Sequence, residues 1–289
     1  MIKIEANAFS RKNEFLMRFH SVELKTGERD YENHRHITEL EFSVFIKGEG
    51  TYRISDVDYE IKPGDIFFVR NNERHGIIKI NADMEYYNFK FEPRFILGDT
   101  SDYDASAYLR FISEQQVDFK HRYAADDEIT KKLSKIFCAI ENECMETRDN
   151  YVSYLRALTT IVFIELSRET NIYNEKSANN LDISIISKSI DYINCHLTEE
   201  LSLNDIAAKA NLSPNYYCNV FKKLYGITLW EYITAKRVEL AICCLKDFKG
   251  TILDLALSCG FNNTANFNRV FKKQTGTTPS QMKKNLGVK

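Results

Sequence analysis

A duplicated segment in about the last ninety residues constrains the fold of this 289-residue chain more than any other feature of its sequence. Residues 202–207 (SLNDIA) match residues 251–256 (TILDLA) at an offset of 49, and residues 220–223 match residues 270–273 (both VFKK) at an offset of 50. A glycine follows each VFKK after two further residues. Since cap residues, glycines and lysine pairs recur together, the repeat indicates one structural unit used twice. A helical bundle with a chance duplication is the alternative.

Each copy is predicted to form a helix, a tight turn and a second helix. Ser202 and Thr251 are typical N-cap residues, and an aspartate follows each of them three residues later, where it suits the N-terminal end of a helix. Asn211 and Gly260 tolerate the left-handed conformation that ends a helix. The pattern is that of two helix-turn-helix units, joined by a helix that is predicted over residues 229–247.

The charge is divided unevenly along the chain. The whole chain has a formal net charge of -2, which by itself argues against a nucleic-acid partner. From Lys209 to the C-terminus, however, 13 basic residues stand against four acidic ones, a net charge of +9, and residues 1–208 carry a net charge of -11. The division predicts a basic C-terminal domain that faces an acidic partner, and chance segregation is the alternative.

The C-terminal part of the sequence resembles the AraC family of bacterial transcription regulators. The resemblance covers roughly one hundred residues and is most specific at 259–261 (CGF), 267–273 (FNRVFKK) and 276–280 (GTTPS). The chain departs from the family pattern at Met282 and Lys283, where an aromatic residue and an arginine are usual. The resemblance implies a sequence-specific regulator that binds double-stranded DNA, with RNA polymerase as a further candidate partner.

One face of the second helix in each unit is predicted to contact DNA. Arginine can pair bidentately with guanine and asparagine with adenine, and the family resemblance places base contacts at the same helix positions. The predicted base contacts are Asn215, Cys218, Asn219, Thr264, Asn268 and Arg269. The predicted phosphate contacts are Lys222, Lys223, Lys272 and Lys273. A salt bridge to the joining helix is the alternative for Arg269, and a redox-sensing thiol is the alternative for Cys218.

The strand pattern of the N-terminal half suggests an antiparallel barrel or sandwich, and a cupin-like β-barrel followed by a helical hairpin is predicted. Short segments of alternating apolar and polar residues recur through residues 1–92, with turns every eight to twelve residues. Apolar residues then recur at helical spacing in residues 129–144 and 152–166, on either side of a short break. The second of these helices has more apolar surface than one packing partner needs, which leaves packing against the barrel and a subunit interface both open.

The fold class is therefore α+β with two domains. Residues 1–173 are expected to form a cupin-like effector-binding and dimerisation domain. The polar segment 174–182 is expected to be a linker, and residues 183–289 are expected to form an all-α DNA-binding domain with two helix-turn-helix units.

Three histidines and a glutamate in the N-terminal half follow the spacing of metal-binding cupins. They are His34, His36, Glu41 and His75. The chain departs from the cupin pattern at Arg70 and Asn72, where proline and glycine are usual. In AraC-type regulators, which the chain resembles, a similar pattern belongs to a sensing domain whose polar groups contact an effector. Effector contacts, ligation of a transition metal and a structural role all remain open, and bound metal is not the favoured interpretation.

The leading hypothesis is a homodimeric transcription regulator that responds to a small-molecule effector, with a sugar or sugar derivative as one candidate. Tyr52, Phe68 and Tyr87 are aromatic residues that could stack on a sugar or belong to the core. Neither enzymatic activity nor a cofactor is expected. A metal-dependent cupin enzyme fused to a DNA-binding tail is the alternative function, and a DNA-architectural role without sensing is a third.

The expected location is the cytoplasm. No run approaches the ~18 apolar residues of a membrane span, and the first residues do not form a secretory signal. The seven cysteines include no C-x-x-C pair, which argues against a disulfide framework.

Overall fold

The computed structural model describes residues 2–9, 15–27, 34–97, 119–170, 182–245 and 247–285, and the structural statements below refer to these residues. The chain divides into two compact units, Met1–Leu181 and Asp182–Lys289. The predicted linker lies outside the described residues except for Asp182, which begins a helix. None of the helices in the described ranges has the length and apolar character needed to span a membrane.

The described part of the first unit contains nine antiparallel strands in two sheets. The strands are β1 (Ile2–Phe9), β2 (Phe15–Leu24), β3 (Leu40–Lys47), β4 (Gly50–Ile54), β5 (Val57–Ile61), β6 (Ile66–Val69), β7 (His75–Ile80), β8 (Met84–Phe91) and β9 (Arg122–Tyr123). Six of them form one sheet in the order β1-β2-β8-β3-β6-β9, and three form a second sheet in the order β5-β4-β7. The strands predicted from alternating apolar residues are confirmed.

Among the described strands, the predicted barrel does not close. Both edges of β3 are used within the larger sheet, by β6 and β8, and both edges of β4 are used within the smaller sheet, by β5 and β7. Among the described strands no ladder therefore connects the two sheets, and only an isolated bridge between His34 and His75 adds to the edge of β7. The unit is a two-sheet sandwich.

The larger sheet is covered on both faces. One face packs against the smaller sheet, in a core that includes Phe45, Tyr52 and Phe67. The other face packs against a helical hairpin, where the ring centroid of Phe42 lies 5.1 Å from that of Phe137 and 5.8 Å from that of Phe163. Because both faces of the central strand β3 are covered, its first six side chains are all buried.

The hairpin consists of two 19-residue helices, and the unit also contains a short helix, α1 (Pro93–Leu97). Helix α2 spans Glu128–Glu146 and α3 spans Tyr151–Glu169. Thr147 and Asn150 between them adopt positive φ angles of 45° and 63°, which reverse the chain within four residues. The predicted hairpin is therefore confirmed.

The described residues of the second unit form helices and the turns that connect them. Its helices are α4 (Asp182–Cys195), α5 (Leu203–Lys209), α6 (Pro214–Tyr225), α7 (Leu229–Leu245), α8 (Ile252–Ser258), α9 (Thr264–Thr275) and α10 (Pro279–Asn285). The pairs α5–α6 and α8–α9 are the two predicted helix-turn-helix units. The joining helix α7 has 17 residues, two fewer than predicted, and is about 26 Å long.

The repeated sequence signals have the predicted structural roles. The Ser202 side chain accepts a hydrogen bond from the backbone N–H of Asp205, and Thr251 forms a complete capping box with Asp254. Gly226 and Gly276 end the second helices with φ angles of 66° and 77°. Each helix pair is thus defined by its own caps before any packing between the pairs is considered.

Candidate functional site

The second helix of the first helix-turn-helix unit has one buried and one exposed face. Tyr217 and Phe221 of α6 are fully buried, whereas Asn215 and Asn219 are exposed. Lys222 and Lys223 are exposed in the last turn, and Cys218 is half-buried between the two faces. Ser213 occupies the N-cap position before Pro214, although its side chain accepts no cap hydrogen bond. The predicted contacts of α6 therefore share the solvent-facing side of the helix, with Cys218 at its margin.

Helix α9 presents the matching surface of the second unit. Phe267 and Phe271 are fully buried, and the predicted contacts occupy the other face. Asn268, Arg269, Lys272 and Lys273 are exposed, and Thr264 is half-buried at the first position of the helix. The internal repeat thus places equivalent polar surfaces on two different helices.

Arg269 is held by its own helix. Its guanidinium donates a hydrogen bond to Asn266 Oδ1 at 2.8 Å, and the backbone N–H of Asn266 donates to Asn263 Oδ1 at 2.8 Å. Within the described ranges, Arg269 makes no salt bridge to α7, the alternative considered from the sequence. Sequence reasoning missed Asn266, and the i, i+3 spacing of the two residues is the signal that could have found it.

The basic ends of both helices lie near the start of α7. Hydrogen bonds from the Thr228 backbone and hydroxyl, together with the charges of Lys273 and Lys222, lower the pKa of Glu231 from its usual range. The two lysines come from α9 and α6. Helix α7 therefore begins in a positive field to which both helix-turn-helix units contribute.

The structure brings together the four residues of the cupin-like motif in the first unit. Donor atoms of His34, His36, Glu41 and His75 all lie within 4.8 Å of one another. His34 and His75 are joined by two backbone hydrogen bonds of 3.0 and 2.8 Å, and Glu41 extends from β3. A loop, a central strand and an edge strand thus meet at one cluster, which we call the histidine cluster.

Three separations within the histidine cluster match those between ligands of a single metal ion. His36 Nε2 lies 3.1 Å from His34 Nε2 and 3.1 Å from Glu41 Oε2, and His75 Nε2 lies 3.4 Å from the same oxygen. Two ligands bound to one ion at about 2.0–2.2 Å stand about 3.0–3.5 Å apart. His75 Nε2 and Glu41 Oε2 are also buried without a well-aligned hydrogen bond from any described group.

The protonation states in the histidine cluster also suit ligation. Burial, followed by the charge of His36, lowers the pKa of His34 to about 4, and burial, followed by the charge of Lys90, lowers the pKa of His36 to about 3. Burial alone would raise the pKa of Glu41, but Lys90 and the surrounding histidines hold it well below its usual range. His75 Nδ1 lies 3.0 Å from the carbonyl oxygen of Glu73, which turns Nε2 toward the cluster.

A cavity of about 140 Å³ opens beside the cluster, between the two sheets. Polar side chains on its wall include His20, His34, Glu41, Tyr52, Asn88 and Lys90. Behind them, Ser43 Oγ lies 3.1 Å from Glu41 Oε1, 3.3 Å from the Tyr52 hydroxyl and 2.9 Å from Asn88 Oδ1. The cavity therefore combines a polar network with apolar wall residues such as Ile77.

Strand alternation decides which side chains reach the cavity. Asn88 and Lys90 of β8 face it, as does Tyr52 of β4. The alternation of β8 shows that Asn88 and Lys90 share one face of the strand, although not that this face meets the cavity. Phe68 packs against Phe163 of α3 at a centroid distance of 5.6 Å, and Tyr87 hydrogen-bonds to Glu141 of α2. Of the three aromatic residues considered for sugar stacking, only Tyr52 lines the cavity.

The departures from the two motif patterns have structural explanations. Asn72 adopts a left-handed φ of 65°, so asparagine meets the backbone requirement that glycine usually meets. Arg70 forms a 2.7 Å ion pair with Glu73. In the second unit, Met282 packs against the core of the second helix-turn-helix, and Lys283 Nζ donates to the carbonyl of Gly250 at 3.3 Å.

Comparison with protein-family models gives two matches. The model of the helix-turn-helix domain matches residues 206–285, and that of the AraC-like ligand binding domain matches residues 23–150. They fall in the helical unit and in the two-sheet unit, respectively.

Curated relatives align with between about a third and most of the chain. The transposon Tn10 TetD protein of Escherichia coli is 34% identical over 119 residues, which are 41% of this chain and 86% of that protein. The melibiose operon regulatory protein of E. coli K12 is 32% identical over 99 residues, only 33% of its length. An uncharacterized HTH-type transcriptional regulator, YdeC of Bacillus subtilis, is 20% identical over 250 residues and aligns along 84% of its length.

Solved structures share the complete two-unit fold. A structure of ToxT from Vibrio cholerae bound to an unsaturated fatty acid has a TM-score of 0.53 and 17% identity, covering 94% of this chain and 96% of that one. A second ToxT structure has a TM-score of 0.57 and 15% identity, with coverages of 93% and 99%. With two consecutive domain matches and a relative covered over most of its length, the chain belongs to the AraC family of transcription regulators.

Proposed function

We propose that this protein binds specific DNA sequences through α6 and α9 and that a small molecule in the cavity of the first unit regulates this binding. The observation that carries the proposal is the equivalent exposed polar face on two capped helices of one repeat. The family models favour this function over the alternative of a cupin enzyme fused to a DNA-binding tail. We infer no catalytic step.

The exposed residues of the two helices divide by chemistry. Asparagine and arginine can read base edges, and lysine suits phosphate. The proposed base contacts are Asn215, Cys218, Asn219, Thr264, Asn268 and Arg269, and the proposed phosphate contacts are Lys222, Lys223, Lys272 and Lys273. The ~26 Å joining helix is close in length to the ~34 Å turn of DNA, so the two helices are proposed to enter successive major grooves.

The effector is proposed to be a small polar molecule. The cavity of about 140 Å³ is similar in size to cavities of about 150 Å³ that hold benzene, so only a few non-hydrogen atoms fit the present conformation. His34, His36, Glu41 and His75 are the proposed contacts. In a cavity of this size, a carboxylate or one polar end of a sugar derivative would suit these groups; one relative is named for a melibiose operon, and one structural neighbour holds a fatty acid.

Helix α3 is proposed as the dimer interface. Tyr154 and Ile161 project from its outer face with 53% and 43% of their surfaces exposed, while Phe163 on its inner face is fully buried. A dimer would present two DNA-binding domains to one DNA site. RNA polymerase is proposed as a further partner, and the cytoplasm is the proposed location of the protein. Within each subunit, the proposed domains remain 1–173 and 183–289.

The DNA-binding part of the proposal is tested by site selection from random double-stranded DNA, followed by titrations of the full chain. We expect Arg269→Ala to cost about 1–3 kcal/mol at the selected site and to relax preference at one or two base pairs. Lys272→Ala should weaken binding to every sequence and reduce the salt slope by about 1. Lys62→Ala, which removes an exposed positive charge from the first unit, is the control.

The effector part has a separate measurement. A library of small sugars and carboxylates is screened for a change in DNA affinity or in the site spacing preferred by the full chain. A compound that acts on the parent protein should lose its effect in His36→Ala, whereas DNA affinity without the compound should stay the same. If Arg269→Ala kept the base-pair preference of the parent, the DNA contacts would be assigned incorrectly. If the compound still changed the DNA affinity or site spacing of His36→Ala, the effector site would be assigned incorrectly.

A further inference from the structure

Lys90 brings a positive charge into the centre of the histidine cluster. Its Nζ atom lies 2.9 Å from His36 Nε2 and 3.3 Å from Glu41 Oε2. The Lys90 side chain extends from β8, on the opposite wall from His75, and only 13% of its surface is exposed. Lys90 is not one of the four residues of the cupin-like motif.

The ammonium group contacts atoms that a metal ion would use. An ion held by His36 Nε2 and Glu41 Oε2 would share both of these atoms with Lys90, and the acceptor nitrogen of His36 has only one lone pair to offer. A divalent ion would also be repelled by an ammonium group only a few ångströms away in a buried setting. The two cations therefore cannot occupy the cluster together.

We propose that Lys90 and a divalent transition-metal ion are alternative occupants of the histidine cluster. In the described conformation the ammonium group neutralises Glu41. When an ion binds to the three histidines and Glu41, Lys90 leaves these atoms and its charge remains on the cavity wall that its side chain lines. Imidazole and carboxylate ligands suit zinc, cobalt, nickel and iron(II). This inference goes beyond the proposed function because metal binding is measured without DNA or effector.

The test compares metal affinities of full-chain variants after removal of metal by a chelator. Co²⁺ binding is followed by its visible absorption, and Zn²⁺ binding by titration calorimetry. We expect Lys90→Met to bind either ion at least tenfold more tightly than the parent. Lys79→Met is the matched control because Lys79 lies exposed on β7, outside the cluster, and its affinity should equal that of the parent. His36→Ala in the Lys90→Met background should lose at least tenfold.

Several outcomes would overturn the proposal. Equal affinities of Lys90→Met and the parent would show that Lys90 does not compete, and the absence of stoichiometric metal from both would show that the cluster is no metal site. A cooperative thermal unfolding transition establishes that each variant is folded. If Lys90→Met does not fold, Lys90→Gln is used in its place. If Lys79→Met gained the same metal affinity as Lys90→Met, the gain would come from the lower surface charge, and this result would also contradict the proposal.

Discussion

Two glycines in this chain adopt the same left-handed φ of 83° in different surroundings. Among the described residues, a Cβ atom at Gly27 would meet no atom within 4 Å, whereas a Cβ atom at Gly260 would lie 2.8 Å from the carbonyl oxygen of Leu197 and 2.9 Å from Arg237 Nε. Arg237 is fixed there because its guanidinium donates to the carbonyls of Leu197 and Glu199. Gly260 therefore meets a backbone requirement and a packing requirement, and Gly27 only the first.

The pair separates these two requirements experimentally. Alanine at either position should cost about 1 kcal/mol or more for the positive φ. Gly260→Ala should cost roughly 1–3 kcal/mol beyond that, since Leu197 and Arg237 must move. Urea unfolding followed by circular dichroism measures both variants, and fluorescence of the single tryptophan, Trp230, reports on the second unit. If both variants lost the same free energy of unfolding, Leu197 and Arg237 would move aside at no measurable cost, and the packing requirement at Gly260 would be contradicted.

Lys90 illustrates a residue whose position could not be predicted from local sequence. It lies 54 positions from His36 in the chain, and the two meet because β8 pairs with β3 in a particular register. A shift of that register by one residue would turn Lys90 to the opposite face of the sheet. The motif residues were predicted by their spacing, whereas no spacing rule connects them to Lys90.

At the scale of the element, the two helix-turn-helix units differ in the quality of their first caps. Thr251 accepts from the backbone N–H of Asp254, and the Asp254 carboxylate accepts from the backbone N–H and the hydroxyl of Thr251. These bonds lower the pKa of Asp254. In the first unit, Ser202 accepts a 3.2 Å bond from the backbone of Asp205 and does not form the complete box.

The repeat therefore supplies its own control for a capping experiment. Thr251→Ala should lower the free energy of unfolding by about 1–2 kcal/mol, and Ser202→Ala by about 0.5–1 kcal/mol, because the first substitution removes two reciprocal contacts and the second only one. Urea unfolding at an unchanged m-value is the measurement. If Ser202→Ala proved the more destabilising of the two, the ranking of the caps would be incorrect.

The strands show where element-level patterns mislead. Alternation correctly predicted most strands, but β3 carries six consecutive buried side chains because helices cover one face of its sheet and the smaller sheet covers the other. The same sequence pattern is compatible with a barrel wall and with a two-sheet sandwich. Which of the two forms depends on pairing between distant strands, and pairing is invisible in any single strand.

At the scale of the whole molecule, the exposed apolar side chains of α3 predict the oligomeric state. Ile161→Glu should convert a dimer into a monomer because a charge would replace apolar surface at the proposed interface. Analytical ultracentrifugation of the full chain gives the mass. Val57→Glu is the control, since Val57 is 51% exposed at the β4–β5 turn of the same unit. A monomeric parent, or an Ile161→Glu variant that remains dimeric, would contradict the α3 interface.

The sequence by itself determined the features that depend on neighbours along the chain. Caps, glycines, helical spacing and the charge division specified two helix-turn-helix units and the family, because these signals arise between residues within a few positions of each other. Only the tertiary structure decided whether the sheet closes, which aromatic side chain reaches the cavity and where Lys90 lies. These features depend on strand register and on residues tens of positions apart, whose meeting is set by the packing of the whole unit.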